Sequence, residues 1–126
     1  PVVMAAAKAA RALGLEVIAG APNIVRGGSH SGNVAAADLV REGAVDALAS
    51  DYVPAALLEA AWRCAAETGI GLPAAVAMVT DCPARMARLG DRGRIAAGLR
   101  ADLVQVRPLD GLPVPRRVWR AGERVA

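Results

Sequence analysis

Two consecutive stretches of the chain repeat one plan, and that repeat narrows the fold more than any other feature. Residues 3–12 are strong helix formers, with Lys8 and Arg11 three apart on one side and Met4 and Leu13 available to the other. Gly14 is a suitable stop, and Leu15-Glu16-Val17-Ile18-Ala19 follows as a short strand ending at Gly20. After a polar loop the plan returns. Val34 to Arg41 is helical with Asn33 as its N-cap, Gly43 stops it, and Val45 to Ala49 is a second short strand ending at Ser50-Asp51. Two helix-to-strand units in succession predict an α/β fold with a parallel sheet. In such sheets the functional residues sit in loops beyond the carboxyl ends of the strands, and both polar clusters fall at those ends. The two loops are therefore expected to meet.

Beyond the repeat, a third helix is expected from Pro54 to Thr68, because proline suits a first turn and Leu57, Leu58, Ala61, Trp62 and Ala65 keep helical spacing. Gly69 and Gly71 end it. Leu72 to Val79 reads as a further helix packed deep in the fold, and Thr80 to Gly90 as a short capped helix stopped by glycine. The last third changes character. Leu103 to Val106 is a strand, a loop carries Pro108, Pro113 and Pro115, and Val118 to Val125 suits a hairpin turning near Ala121-Gly122. So few antiparallel strands have little core of their own and call for a larger partner sheet.

With 126 residues, one domain's worth of chain is the default. No run approaches the roughly 20 apolar residues that a membrane span requires, and no signal peptide is visible at Pro1. The expectation is a cytoplasmic protein with no membrane partner. The net charge of +3 is carried mostly by arginine, which favours phosphate and carboxylate partners. An aromatic content of 2% leaves no stacking platform for single strands, so nucleic acid is not expected as a partner. Cys64 and Cys82 are too few for a disulfide framework and read as two buried thiols in a reducing compartment.

Polar chemistry concentrates between Asn23 and Pro54. Arg26-Gly27-Gly28-Ser29-His30-Ser31-Gly32-Asn33 has the makings of a phosphate cradle. Glycines let backbone amides approach an anion, a helix start favours negative charge, and Arg26 offers a bidentate fork. The lysine and spacing of a Walker loop are absent, and a plain glycine-rich turn is the competing reading. Asp51, one residue past a buried strand, is either a turn former or a catalytic carboxylate able to hold a metal and act as base to water. His30 is the chain's single histidine. It fits a ligand, an acid or base, or a phosphate contact, but a metal site needs several ligands and no second histidine exists to join it.

Three segments carry a family resemblance: Gly20-Ala21-Pro22-Asn23, the Arg26–Asn33 loop, and Ser50-Asp51-Tyr52-Val53-Pro54. They resemble the carboxyl-terminal part of the alpha-D-ribose 1-methylphosphonate 5-triphosphate diphosphatases of the carbon–phosphorus lyase pathway of phosphonate metabolism. Pro83-Ala84-Arg85, the run Asp91 to Val104, and Val118-Trp119-Arg120-Ala121-Gly122 are similar to the ending shared across the amidohydrolase superfamily. The resemblance implies the last two strand and helix units of a metal-dependent (β/α)8 barrel over residues 1–90. Residues 91–126 would then be the carboxyl-terminal strands of a small β-domain. It also implies a hydrolase that releases pyrophosphate from a phosphorylated sugar by adding water across a phosphoanhydride.

By this analogy Asp51 follows the last barrel strand, as metal ligand and catalytic carboxylate. Arg26, Gly27, Gly28, Ser29, His30, Ser31 and Asn33 form the phosphate-contacting loop after the preceding strand. The complete enzyme would use a divalent ion of the zinc or manganese type. The superfamily's His-x-His pair, its bridging lysine or glutamate and its middle-strand histidines have no counterpart here, so the chain by itself is expected to bind no binuclear centre and to be inactive. Exposed barrel edges would be covered by homo-oligomerisation or strand exchange. Two other readings stay open. One is an amidohydrolase cleaving carbon–nitrogen bonds of cyclic amides or amines, and the other is a non-catalytic phosphate-binding or assembly module.

Overall fold

A computed structural model describes residues 3–27 and 34–126 of the chain. Its elements run α1 (Met4–Ala12), β1 (Ile18–Gly20), α2 (Ala21–Val25), α3 (Ala36–Arg41), β2 (Ala47–Ala49), α4 (Ala56–Thr68), α5 (Leu72–Ala77), α6 (Asp81–Met86), β3 (Leu103–Leu109), β4 (Leu112–Arg120) and β5 (Glu123–Arg124). The fold is mixed α/β with two sheets, as the repeat predicts. β1 and β2 pair in parallel, Ile18 with Ala47 and Gly20 with Ala49, so both strands end side by side. β3, β4 and β5 form a separate antiparallel meander.

Both parallel strands are shorter than the sequence suggests, three residues each. The backbone pairing begins just before them, where the Val17 carbonyl accepts from the amides of Asp46 and Ala47. Asp46 then turns its carboxylate back, accepting from the Val17 amide at 2.8 Å and from the Arg11 guanidinium at the end of α1. This clamp fixes the first helix to the sheet. On the other side of β2, the Leu48 amide donates to the Met78 carbonyl at 3.0 Å, so the segment after α5 closes part of that edge.

Two helix starts differ from expectation. The polar loop after Gly20 opens with α2, whose early proline matches the fixed φ of a first turn. The helix expected from Val34 begins at Ala36, and Asn33, its expected cap, lies outside the described residues. The Ala36 amide instead donates to the Asn23 side chain on α2 at 2.9 Å. A neighbouring helix thus satisfies an otherwise orphaned donor.

α4 is the central helix, packed against α2, α3 and α5. Its Ala60, Ala61 and Cys64 are fully buried with Ile24, Leu39 and Ala7, and small residues dominate the core. Glycine in the left-handed region ends α4 at Gly69, as anticipated. α5 is shallower than expected. Only Ala75 within it is buried, and Leu72 is 40% exposed because the helix lies at the margin of the core. α6 has no side-chain cap, since the Thr80 hydroxyl donates back to the Val76 carbonyl.

The largest correction concerns the proline-bearing stretch. Pro108, Pro113 and Pro115 stand within long strands, Pro108 opposite Pro113 and Pro115 opposite Val106. The turn is Asp110-Gly111, both at positive φ, the pattern of a tight two-residue hairpin. The second hairpin turns at Ala121-Gly122, where it was placed from the sequence. No residue from 91 to 126 is buried, so this sheet has little core of its own. Trp62, Leu57 and Leu58 of α4 face Val104, Val118 and Trp119 across an apolar cleft of about 950 Å³.

Among the described residues no helix is long and apolar enough to cross a membrane. Cys64 is buried as expected, but Cys82 is only half-buried, because α6 lies outside the tightly packed helices.

Candidate functional site

The carboxyl ends of β1 and β2 form one small surface. Because the strands are parallel and in register, Gly20 and Ala49 stand side by side, and the chain leaving β2 turns through Ser50 to Asp51. Asp51 has φ of 50°, a left-handed conformation that aspartate tolerates better than most residues. Its carboxylate lies directly over Gly20, where an added Cβ would stand 2.3 Å from Oδ2. Gly20 thus has to be a glycine for the carboxylate to take this position. Asp51 is exposed, consistent with a group that meets solutes.

The neighbouring loop also reaches this point. The Arg26 guanidinium, one residue beyond α2, lies 5.4 Å from the centre of the Tyr52 ring. A cation over an exposed aromatic face contributes about 0.5–1 kcal/mol to holding Arg26 beside Tyr52. Gly27 follows at φ of 74°. Of the residues singled out by sequence, the structure sets Arg26 against Tyr52, the chain neighbour of Asp51, and Gly27 follows Arg26. Gly28, Ser29, His30, Ser31 and Asn33 lie outside the described residues.

What this arrangement can do is limited and specific. A carboxylate just past β2 and a guanidinium just past α2, linked through the Tyr52 ring, suit an anionic substrate that also needs a proton acceptor. Among the described residues no group of three or more His, Cys, Asp or Glu side chains is placed to hold a metal ion. Asp51 is a single oxygen donor, and one carboxylate does not make a zinc or manganese site. The described residues alone do not make a site for such an ion.

Sequence reasoning missed two residues that shape this end of the molecule. Tyr52 was read only as part of a motif, yet its ring is the platform for Arg26. Asn23 was counted as loop polarity, yet it starts α3. Neither partnership has a signal in local spacing.

Comparison with known proteins decides the relationship. The chain is 51% identical over 127 aligned residues to the alpha-D-ribose 1-methylphosphonate 5-triphosphate diphosphatase of Escherichia coli (strain K12), an alignment covering 99% of this chain. Here the chain is similar to that diphosphatase from end to end. It spans 34% of the relative's length. The resemblance to the diphosphatase read from the sequence is thereby borne out. No family model matches the chain, and no solved structure matches it.

Proposed function

We propose that this chain is the carboxyl-terminal part of a hydrolase that releases pyrophosphate from alpha-D-ribose 1-methylphosphonate 5-triphosphate in phosphonate metabolism. The carrying observation is the placement of the Asp51 carboxylate over Gly20, at the paired ends of two parallel strands, in a chain 51% identical to such an enzyme. In this reading Asp51 takes a proton from water while the water oxygen bonds to phosphorus. The bridging phosphorus–oxygen bond breaks, pyrophosphate leaves, and ribose 1-methylphosphonate 5-phosphate remains. Arg26 and the amides beginning at Gly27 hold phosphoryl oxygens, and the loop residues Gly28, Ser29, His30, Ser31 and Asn33 belong to the same phosphate contact.

The same reading places residues 1–90 in the last two units of a (β/α)8 barrel and residues 91–126 in a small β-domain. Two features support it. The buried core ends at Ala84, and among the described residues β1 pairs only with β2, leaving Ile18 51% exposed. A strand edge of that kind is completed by further strands, from the rest of a barrel or from a second copy. A divalent ion would find in Asp51 one oxygen ligand, with the remaining ligands supplied from outside the described residues. The chain alone is then inactive, and the complete enzyme works in the cytoplasm on a phosphorylated sugar.

A chimera tests this. The matching third of the Escherichia coli enzyme is replaced by this chain, and pyrophosphate release from the ribose triphosphate is followed. The expected result is turnover by the chimera, none by the 126-residue chain, and a loss of about 10²-fold or more on Asp51→Asn, the usual scale for a positioned proton acceptor. Full turnover by the Asp51→Asn chimera would remove Asp51 from the chemistry.

A further inference from the structure

The β3–β4 hairpin carries a second polar surface that the diphosphatase reading does not use. In an antiparallel pair, alternate residues share a face, and Gln105 stands opposite Arg117 while Arg107 follows two places on. Arg124 on β5 pairs with Trp119, two residues beyond Arg117, so it is a diagonal neighbour on that face. The register shifts between Gln105 and Val106, which pair with Arg117 and Pro115, so Arg116 is the extra residue of a bulge. Bulges turn a side chain away from strict alternation. Arg107, Arg116, Arg117 and Arg124 thus all line one groove of about 550 Å³, together with Gln105, and no carboxylate lines it.

The charge balance of this groove is unusual for this molecule. Seven other arginines are ion-paired, Arg11 with Asp46, Arg41 with Asp38, Arg63 with Glu59, Arg85 and Arg94 with Asp81, Arg92 and Arg100 with Asp102, while Arg88 and Arg120 enter none of the ion pairs among the described residues. None of the ion pairs among the described residues includes the four groove arginines, and the Arg124 side chain donates to the Ala126 carbonyl. Four guanidinium charges gathered in one groove repel one another. A multiply charged anion relieves that repulsion, and several planar forks suit phosphoryl oxygens in bidentate contact.

We infer that this groove binds a short chain of phosphoryl groups, as in inorganic tripolyphosphate or the phosphate tail of a nucleotide. Its lining holds no aromatic ring on which bases could stack, which disfavours single-stranded nucleic acid. The site is separate in sequence and sheet from Asp51 and Arg26, and the inference does not rest on the diphosphatase reading.

Calorimetric titration of the 126-residue chain with sodium tripolyphosphate at low salt tests it. Saturable binding is expected, weakened by added salt and at least tenfold weaker in the double variant Arg107→Gln/Arg117→Gln. Arg116→Gln, a single exposed change in the bulge, is a second variant and is expected to weaken binding severalfold with an unchanged circular dichroism spectrum. Adenosine triphosphate binding as tightly as tripolyphosphate is expected, since only phosphates are read. The inference is overturned if tripolyphosphate does not bind, if the groove variants bind it as well as the unaltered chain, if Arg26→Gln alone abolishes binding, or if a single-stranded oligonucleotide binds more tightly.

Discussion

Replacing Gly93 by alanine is the sharpest test of how the tail is fastened to the helices. Gly93 has φ of 96°, and a Cβ there would stand 2.7 Å from the Ala84 Cβ, 3.0 Å from the Asp81 Cα and 3.1 Å from the Thr80 carbonyl oxygen. Two of the three obstacles are backbone, and the third is a buried methyl on α6, so nothing nearby can swing aside. The backbone conformation alone costs an L-residue about 1–2 kcal/mol. Forcing a methyl into the filled gap adds about 1–3 kcal/mol. Gly98 supplies the control, because its φ is 82° but no atom lies within 4 Å of its added Cβ. Gly98→Ala should therefore carry only the backbone part. With a urea dependence of about 1–3 kcal/mol/M for a small protein, the difference between the variants is about 1 M in unfolding midpoint. Trp62 on α4 and Trp119 on β4 provide one fluorescent probe on each side of the junction. The Trp119 environment is expected to loosen first in Gly93→Ala. Equal midpoints for the two variants would refute the close approach of the tail to α6.

Gly20→Ala presents an even shorter contact, yet the opposite outcome is expected. Its obstacle is the exposed Asp51 carboxylate, which can rotate away, so unfolding should change by no more than about 0.5 kcal/mol while the chimera loses turnover much as it does in Asp51→Asn. Asp46→Ala leaves the part-buried Val17 amide without its acceptor and is expected to destabilise by about 1–3 kcal/mol, whereas Asp46→Asn, which keeps an oxygen there, should cost less by chemical denaturation. Burial, reinforced by the charge of Glu67, pushes the Cys64 thiol from 9.0 up to about 11. Its alkylation by iodoacetamide at pH 8 should run about 100-fold slower than in the unfolded chain. Because the folded value is the higher one, this contribution to stability is fully present below pH 9.0 and is lost as pH rises through about 11, a loss that Cys64→Ala should remove. The Ala121 amide and then Arg100 hold the Asp102 carboxyl below its ordinary 3.8, so its contribution is present above that pH and disappears as pH falls through the lowered value. Asp102→Asn should flatten the acid limb of the stability profile measured between those limits.

The local signals that succeeded are those that act within a few residues. Helix formers followed by glycine placed α1, α3 and α4, and the paired helix-to-strand units predicted the parallel ladder of β1 and β2. The Ala121-Gly122 turn was legible for the same reason. Asp110-Gly111 carried an equally clear hairpin signal, but three prolines nearby argued for a loop. Proline is tolerated in this sheet because the pairs at Pro108, Pro113 and Pro115 lie toward the end of a two-stranded ribbon, where a missing donor meets solvent rather than an apolar interior.

For the candidate site, sequence alone singled out Asp51, Arg26 and Gly27 and predicted that their loops would meet, because parallel strands deliver their carboxyl ends to one side. Only the tertiary structure decided how they meet. The fit of the Asp51 carboxylate over a glycine and the stacking of Arg26 on Tyr52 join residues 31 and 26 positions apart. The Asn23 bond that starts α3 and the gathering of four arginines around a bulge likewise depend on register and packing. Local propensity fixes which elements form, since backbone preferences act between neighbours. Which side chains then confront one another depends on how those elements dock, and no spacing along the chain records it.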